Sequence, residues 1–172
     1  GKIYFTVNKR TENSDMGNTL IAIDCQEKRA SECVSIKASD PFMHIALWGD
    51  QLLLLTRDEL EDGYVSEFFS YNPSTGMVSE ELTEKISKDG MTGRIIWCFC
   101  AAGDFLYTLE QSGSADAPRF FLVKRDTDYI QLAEYEIESK DLPARPGEMF
   151  CVYENHYGLR TFDADLRILE IN

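Results

Sequence analysis

Few residues in this chain suit acid–base or thiolate chemistry near neutral pH: two histidines and five cysteines among 172 residues. His44 stands between Met43 and Ile45 in an apolar run, the setting of a structural histidine rather than a base. His156 falls in Glu154-Asn155-His156-Tyr157-Gly158, which reads as a turn between strands. The cysteines occupy positions 25, 33, 98, 100 and 151. Cys98 and Cys100, two apart, share one face of a strand with Phe99 opposite. Neither a second Cys pair nor His partners at zinc-knuckle spacing accompany them. Cys25 and Cys33 are near enough in sequence to pair across a hairpin, yet the odd total leaves a thiol over. The expectation is reduced, buried cysteines and a cytoplasmic protein.

The acidic stretch Asp58-Glu59-Leu60-Glu61-Asp62-Gly63 has the glycine of a calcium loop, but Leu60 and Phe69 fall where oxygen ligands are required. Asp163-Ala164-Asp165 reads as a turn, and Ser112-Gly113-Ser114 as a loop tip. Gly-x-Ser-x-Gly, Walker, dinucleotide and His-Glu-x-x-His motifs do not occur. The expectation is therefore no catalytic residue, no metal and no cofactor.

With 17 Lys+Arg against 30 Asp+Glu, the net charge of −13 disfavours nucleic acid and anionic membranes, which attract basic faces. The apolar runs are far shorter than the roughly 20 residues of a membrane span. Length allows one domain, and the strand-like start at Lys2 suggests that the chain begins inside a longer protein.

What must position any functional residue is a repeat of about 50 residues. Gly1-Lys2-Ile3-Tyr4-Phe5-Thr6 aligns with Gly49-Asp50-Gln51-Leu52-Leu53-Leu54 and with Gly103-Asp104-Phe105-Leu106-Tyr107-Thr108, at spacings of 48 and 54. A polar stretch follows each copy, then a second apolar strand at 20–23, 68–71 and 120–123. A tight polar turn comes next, clearest in Asn72-Pro73-Ser74-Thr75-Gly76. Outer strands are expected at 33–36, 77–82 and 129–137, and further apolar strands at 44–48, 95–101 and 149–153. The runs are nearly continuous in apolar residues, as in sheets covered on both faces. The expected fold is all-β: a β-propeller of four-stranded antiparallel blades, about three and a half to four blades in this chain. The repeat units are approximately 1–40, 41–90, 91–142 and 143–172 of a single domain or part of one. A lipocalin-like barrel or a sandwich is the alternative, and it requires no such repeat.

Tyr71-Asn72-Pro73-Ser74-Thr75-Gly76 resembles the Tyr-Asp-Pro-x-Thr turn of kelch-type propeller blades, and Gly1-Lys2-Ile3-Tyr4 resembles the strand before the kelch double glycine. Val7-Asn8, Leu55-Thr56 and Leu109-Glu110 stand in place of that Gly-Gly pair, and Val78 or Ile130 in place of the following Trp. The resemblance implies a non-catalytic scaffold or substrate receptor that binds a protein or peptide. The connections at 9–18, 57–64 and 110–118 are then the loops of a binding face. Lys9, Arg10, Arg57, Asp58, Glu110 and Gln111 are the candidate partner-binding residues, the basic three suited to an acidic peptide. Self-association, or a second chain completing the ring, is a further expectation. The alternative reading is a propeller enzyme or a small-ligand or glycan sensor, extracytoplasmic and bacterial.

Overall fold

β-branched and aromatic runs punctuated by Gly, Asn and Asp favour strands joined by tight turns, and the computed structural model is all-β. It describes residues 1–10, 16–38, 44–60, 63–80, 94–113, 117–138, 150–153, 156–160 and 166–170, with no helix among them. Sheet I holds β1 (Lys2–Arg10), β2 (Met16–Asp24) and β3 (Arg29–Ala38). Sheet II holds β4 (His44–Trp48), β5 (Gln51–Leu60), β6 (Gly63–Tyr71) and β7 (Val78–Ser79). Sheet III holds β8 (Ile95–Ala102), β9 (Phe105–Ser112), β10 (Arg119–Arg125) and β11 (Gln131–Ile137). Sheet IV holds β12 (Phe150–Tyr153), β13 (His156–Arg160) and β14 (Leu166–Glu170). In every sheet the strands pair antiparallel with their sequence neighbours.

The sheets stack face to face in chain order. Leu20 and Ile36 of sheet I meet Leu52, Leu54, Phe69 and Tyr71 of sheet II. The opposite face of sheet II packs Leu53, Leu55 and Phe68 on Ile96, Phe99 and Leu106 of sheet III. The far face of sheet III, with Cys98, Tyr107, Leu109 and Leu122, takes Val152 of sheet IV. Sheets II and III are therefore covered on both faces, and Leu52-Leu53-Leu54-Leu55 is buried without a break. Each such leucine contributes on the order of 1.5–3 kcal/mol by leaving water. The first strands of sheets II, III and IV are also neighbours, since β8 contacts both β4 and β12.

Three expectations change. The spacing from β1 to β5 is 49 rather than 48: Ile3 pairs with Ile23, the residue before Asp24, and Leu52 pairs with Tyr71, the residue before Asn72. Gly1 thus imitates Gly49 in sequence without being its counterpart, and one residue of slip reverses every side chain's face. Next, the described residues of the polar stretches expected as loops are mostly strand. Lys9 and Arg10 pair with Gly17 and Met16, Arg57 and Asp58 with Ser66 and Val65, and Glu110 and Gln111 lie inside β9. Cross-strand pairing outcompetes the loop because it satisfies backbone groups that polar side chains alone leave to water. Finally, His156 opens β13 rather than sitting in a turn. Within the expected strand at 77–82, β7 covers Val78–Ser79, and residues 81–82 lie outside the described set, as do Asp163, Ala164 and Asp165.

The cysteines are free at 25, 33, 98 and 100. Cys33 occupies the bulge where Leu20 pairs with Val34 but Ile21 pairs with Glu32, which turns it toward the core beside Tyr71. Cys98 is buried in the expected way, while Cys25 is exposed on the β2–β3 turn.

Candidate functional site

At one end of the stack, short turns carry side chains on rigid supports. Gly49-Asp50 and Gly103-Asp104 each close a two-residue hairpin, between Trp48 and Gln51 and between Ala102 and Phe105. Both glycines sit at φ +59°, a left-handed conformation at the first turn position that a side chain resists. The β2–β3, β6–β7 and β10–β11 turns each begin with a residue whose Oδ1 accepts from backbone N–H groups. The Asp24 oxygen accepts from Gln26 (2.8 Å) and Glu27 (3.0 Å), that of Asn72 from Ser74 (2.9 Å) and Thr75 (3.1 Å), and that of Asp126 from Asp128 (2.9 Å) and Ile130 (3.0 Å). These bonds, first that from Glu27 and then that from Gln26, hold the Asp24 carboxyl below its ordinary pKa. Left-handed residues finish the turns: Lys28 at φ 52°, Gly76 at 73° and Tyr129 at 66°.

Between the turn ends of sheets II and III lies a cleft of about 220 Å³ lined by Trp48, Asp50, Gln51, Asp104, Thr127 and Tyr129. The rings of Trp48 and Tyr129 meet edge to face, 5.4 Å between centroids at 65°. Asp50 and Asp104 bring carboxylates to the same cleft. A neighbouring cleft of about 590 Å³ between sheets III and IV includes Lys124, Phe105 and Tyr107. Here the Lys124 ammonium lies 3.8 Å from the Phe105 ring centroid, a cation–π contact already made within the chain. Burial, then the Cys100 thiol, pushes the Tyr107 hydroxyl pKa up.

Charged chemistry of a different kind runs across sheet III from its buried centre to exposed positions. Glu110 and Arg125, both fully buried, pair at 2.8 Å. The Thr108 hydroxyl joins them, accepting from Arg125 at 2.6 Å and donating to Glu110 at 2.5 Å. Arg94 reaches the other Glu110 oxygen at 3.4 Å and grips Glu134 with two bonds of 2.6 and 3.2 Å. Arg119 holds Glu136 in the same bidentate way at 2.8 and 2.7 Å. The two guanidinium groups flank the Phe121 ring at 4.3 and 5.1 Å from its centroid. Its bond to Glu134 raises the Arg94 pKa, and the carboxyls of Glu134 and Glu136 are lowered by their arginines. These groups answer one another, so the arrangement does structural work.

Of the sequence candidates, Glu110 is in this interior and cannot touch a partner. Gln111 points to the opposite face of β9, where its Oε1 accepts from Trp97 Nε1 at 2.8 Å. Lys9, Arg10, Arg57 and Asp58 are paired in the strand arms; their side chains lie outside the described set. Glu110 and Gln111 therefore face opposite sides of sheet III. Arg94, Arg125 and Glu134 escaped sequence reasoning. Thr108 and Glu110, two apart in a strand, were the available signal of a shared polar face, but their partner emerges only from the β9–β10 register. Trp48 and Tyr129 were visible as aromatics, and only the stacking of sheets II and III makes them neighbours. No family model and no curated protein matches the chain.

Proposed function

We propose that the chain is a non-catalytic binding module of kelch-like propeller type that takes a protein or peptide partner on the turn end. The observation carrying this reading is the cleft between sheets II and III. An aromatic pair, Trp48 and Tyr129, sits in it with the carboxylates of Asp50 and Asp104. Aromatic anchors with polar groups around them are how recognition surfaces concentrate their binding energy. Short hairpin turns hold the groups in place, which lowers the entropy lost on binding. The propeller reading draws support from the meander order in each sheet, from the stacking in chain order and from the adjacency of first strands.

The test is binding of a peptide array to the purified chain, followed by titration of the hits using Trp fluorescence. The expected outcome is saturable binding weakened about tenfold or more in Asp104→Asn and Tyr129→Gly. Binding that instead falls with Arg10→Ala or Arg57→Ala would move the partner to the strand arms. An array with no saturable hit would overturn the module reading.

A further inference from the structure

The cleft between the turn ends of sheets II and III carries charge of one sign. Asp50 and Asp104 line it beside Trp48 and Tyr129, and no Lys, Arg or His is among the described residues that do. The two aspartates are the second residues of matching hairpin turns, and both are exposed. Asp104 also borders the neighbouring cleft, where the Lys124 ammonium is held over the Phe105 ring.

The repeat answers these aspartates differently in the two sheets. Leu52 pairs with Tyr71 and Leu106 with Arg125, so Asn72 and Asp126 hold equivalent places, as do Asp50 and Asp104. In sheet II the Asn72 amide turns a donor toward Asp50, Nδ2 to Oδ2 at 3.5 Å. Asp126 is a carboxylate whose Oδ1 already accepts from the Asp128 and Ile130 N–H groups. Sheet III thus puts a second negative charge where sheet II supplies a hydrogen-bond donor.

Carboxylates beside aromatic rings suit one kind of group. An alkylammonium or guanidinium ion makes charge-assisted bonds to carboxylates, is attracted to aromatic rings and lays its hydrocarbon stem on apolar surface. At about 220 Å³ the cleft is smaller than the roughly 300–1,000 Å³ pockets that enclose drug-sized ligands, so it suits a single side chain.

We propose that this cleft takes a lysine or arginine side chain of the partner peptide, its cation on Asp50 and Asp104 and its stem along Trp48 and Tyr129. The inference rests on the reading of the cleft as a peptide site. It reverses the sign of partner that Lys9, Arg10 and Arg57 suggest in the sequence, and the net charge of −13 favours the encounter.

The experiment is NMR titration of the isotope-labelled chain with the peptide Gly-Ser-Lys-Ser-Gly, with its Arg, norleucine and Glu counterparts, and with n-butylammonium. The readout is the Trp48 indole N–H; the Trp97 indole, bonded to Gln111, is the internal control. A saturable Trp48 shift is expected with the Lys and Arg peptides, about tenfold or more weaker with norleucine and Glu, and weakened by salt. Asp104→Asn should weaken it about tenfold or more, and Asp50→Asn less, because Asn72 already answers that carboxylate. Glu27→Gln, an exposed charge at the sheet I turn, should leave it unchanged. An unmoved Trp97 signal checks that each variant folds, and the salt dependence of the parent chain replaces any that does not.

Equal affinity for the norleucine peptide, or binding indifferent to Asp104→Asn, overturns the cationic occupant and leaves the peptide site standing. Saturation by n-butylammonium with none by any peptide makes the occupant a free amine and overturns the peptide site as well. No saturable shift from any probe overturns this proposal alone, and the peptide array then decides the site by itself.

Discussion

Equivalent positions in the first and third sheets have opposite fates. In β1 the residues are Ile3, Phe5 and Val7, all apolar and all exposed; in β9 they are Leu106, Thr108 and Glu110, two of them polar and all fully buried. Hydropathy alone predicts the reverse for the last two. What differs is the neighbour: sheet II covers β9, while no described sheet lies on that face of β1. Burial here belongs to the stack rather than to the strand. A carboxylate is tolerated at 110 because Arg125, Thr108 and Arg94 replace the water it lost.

The sharpest way to break this contrast is to remove one buried charge. Glu110→Ala should destabilise by about 3–5 kcal/mol by stranding Arg125 without its carboxylate, measured by urea denaturation. The double change Glu110→Leu with Arg125→Met should recover most of that loss, and if it does not, the pair supplies stability of its own. A comparable loss, about 2–5 kcal/mol, is expected for Leu54→Ala, the covered counterpart of Phe5. Ile3→Ala should cost the monomer less than about 1 kcal/mol, and equal costs at 3 and 54 would mean that sheet I is covered in solution.

A smaller effect tests the turns, which recur in both sheets regardless of covering. Gly76→Ala should cost about 1–2 kcal/mol through its left-handed backbone alone, since a Cβ there meets nothing within 4 Å. Lys28→Gly at the matching position of sheet I should instead stabilise by up to about 1 kcal/mol. The smallest is the acid response of Asp24. Its carboxyl is held below its ordinary value, so its contribution is complete above that value and disappears as pH falls through the lowered one. Thermal unfolding of Asp24→Asn against the parent should therefore converge at low pH.

Much of the architecture was legible in the chain. The apolar runs at 44–48, 95–101 and 149–153 appear as β4, β8 and β12 within a residue. The turn at Asn72 forms with Gly76 N–H donating to the Asn72 carbonyl at 2.8 Å. Its counterparts Asp24 and Asp126 stand 48 and 54 residues away, and a side chain that caps its own turn needs only local sequence. The candidate site was less legible. Loop residues were sought where the strands simply continue, because a polar hairpin arm and a polar loop share a composition. Glu110 was taken for surface because Arg125 meets it through pairing, β9 to β10, that no linear pattern displays.

By itself, then, the sequence determined the strands, the tight turns and the repeat, all of which rest on backbone preference and side chains a few residues apart. The tertiary structure decided which face of each strand is covered, which charges are paired in the interior and which aromatics meet at the turn end. Those outcomes depend on register and on the neighbouring sheet, and a single residue of slip, like that between Gly1 and Gly49, reverses them all.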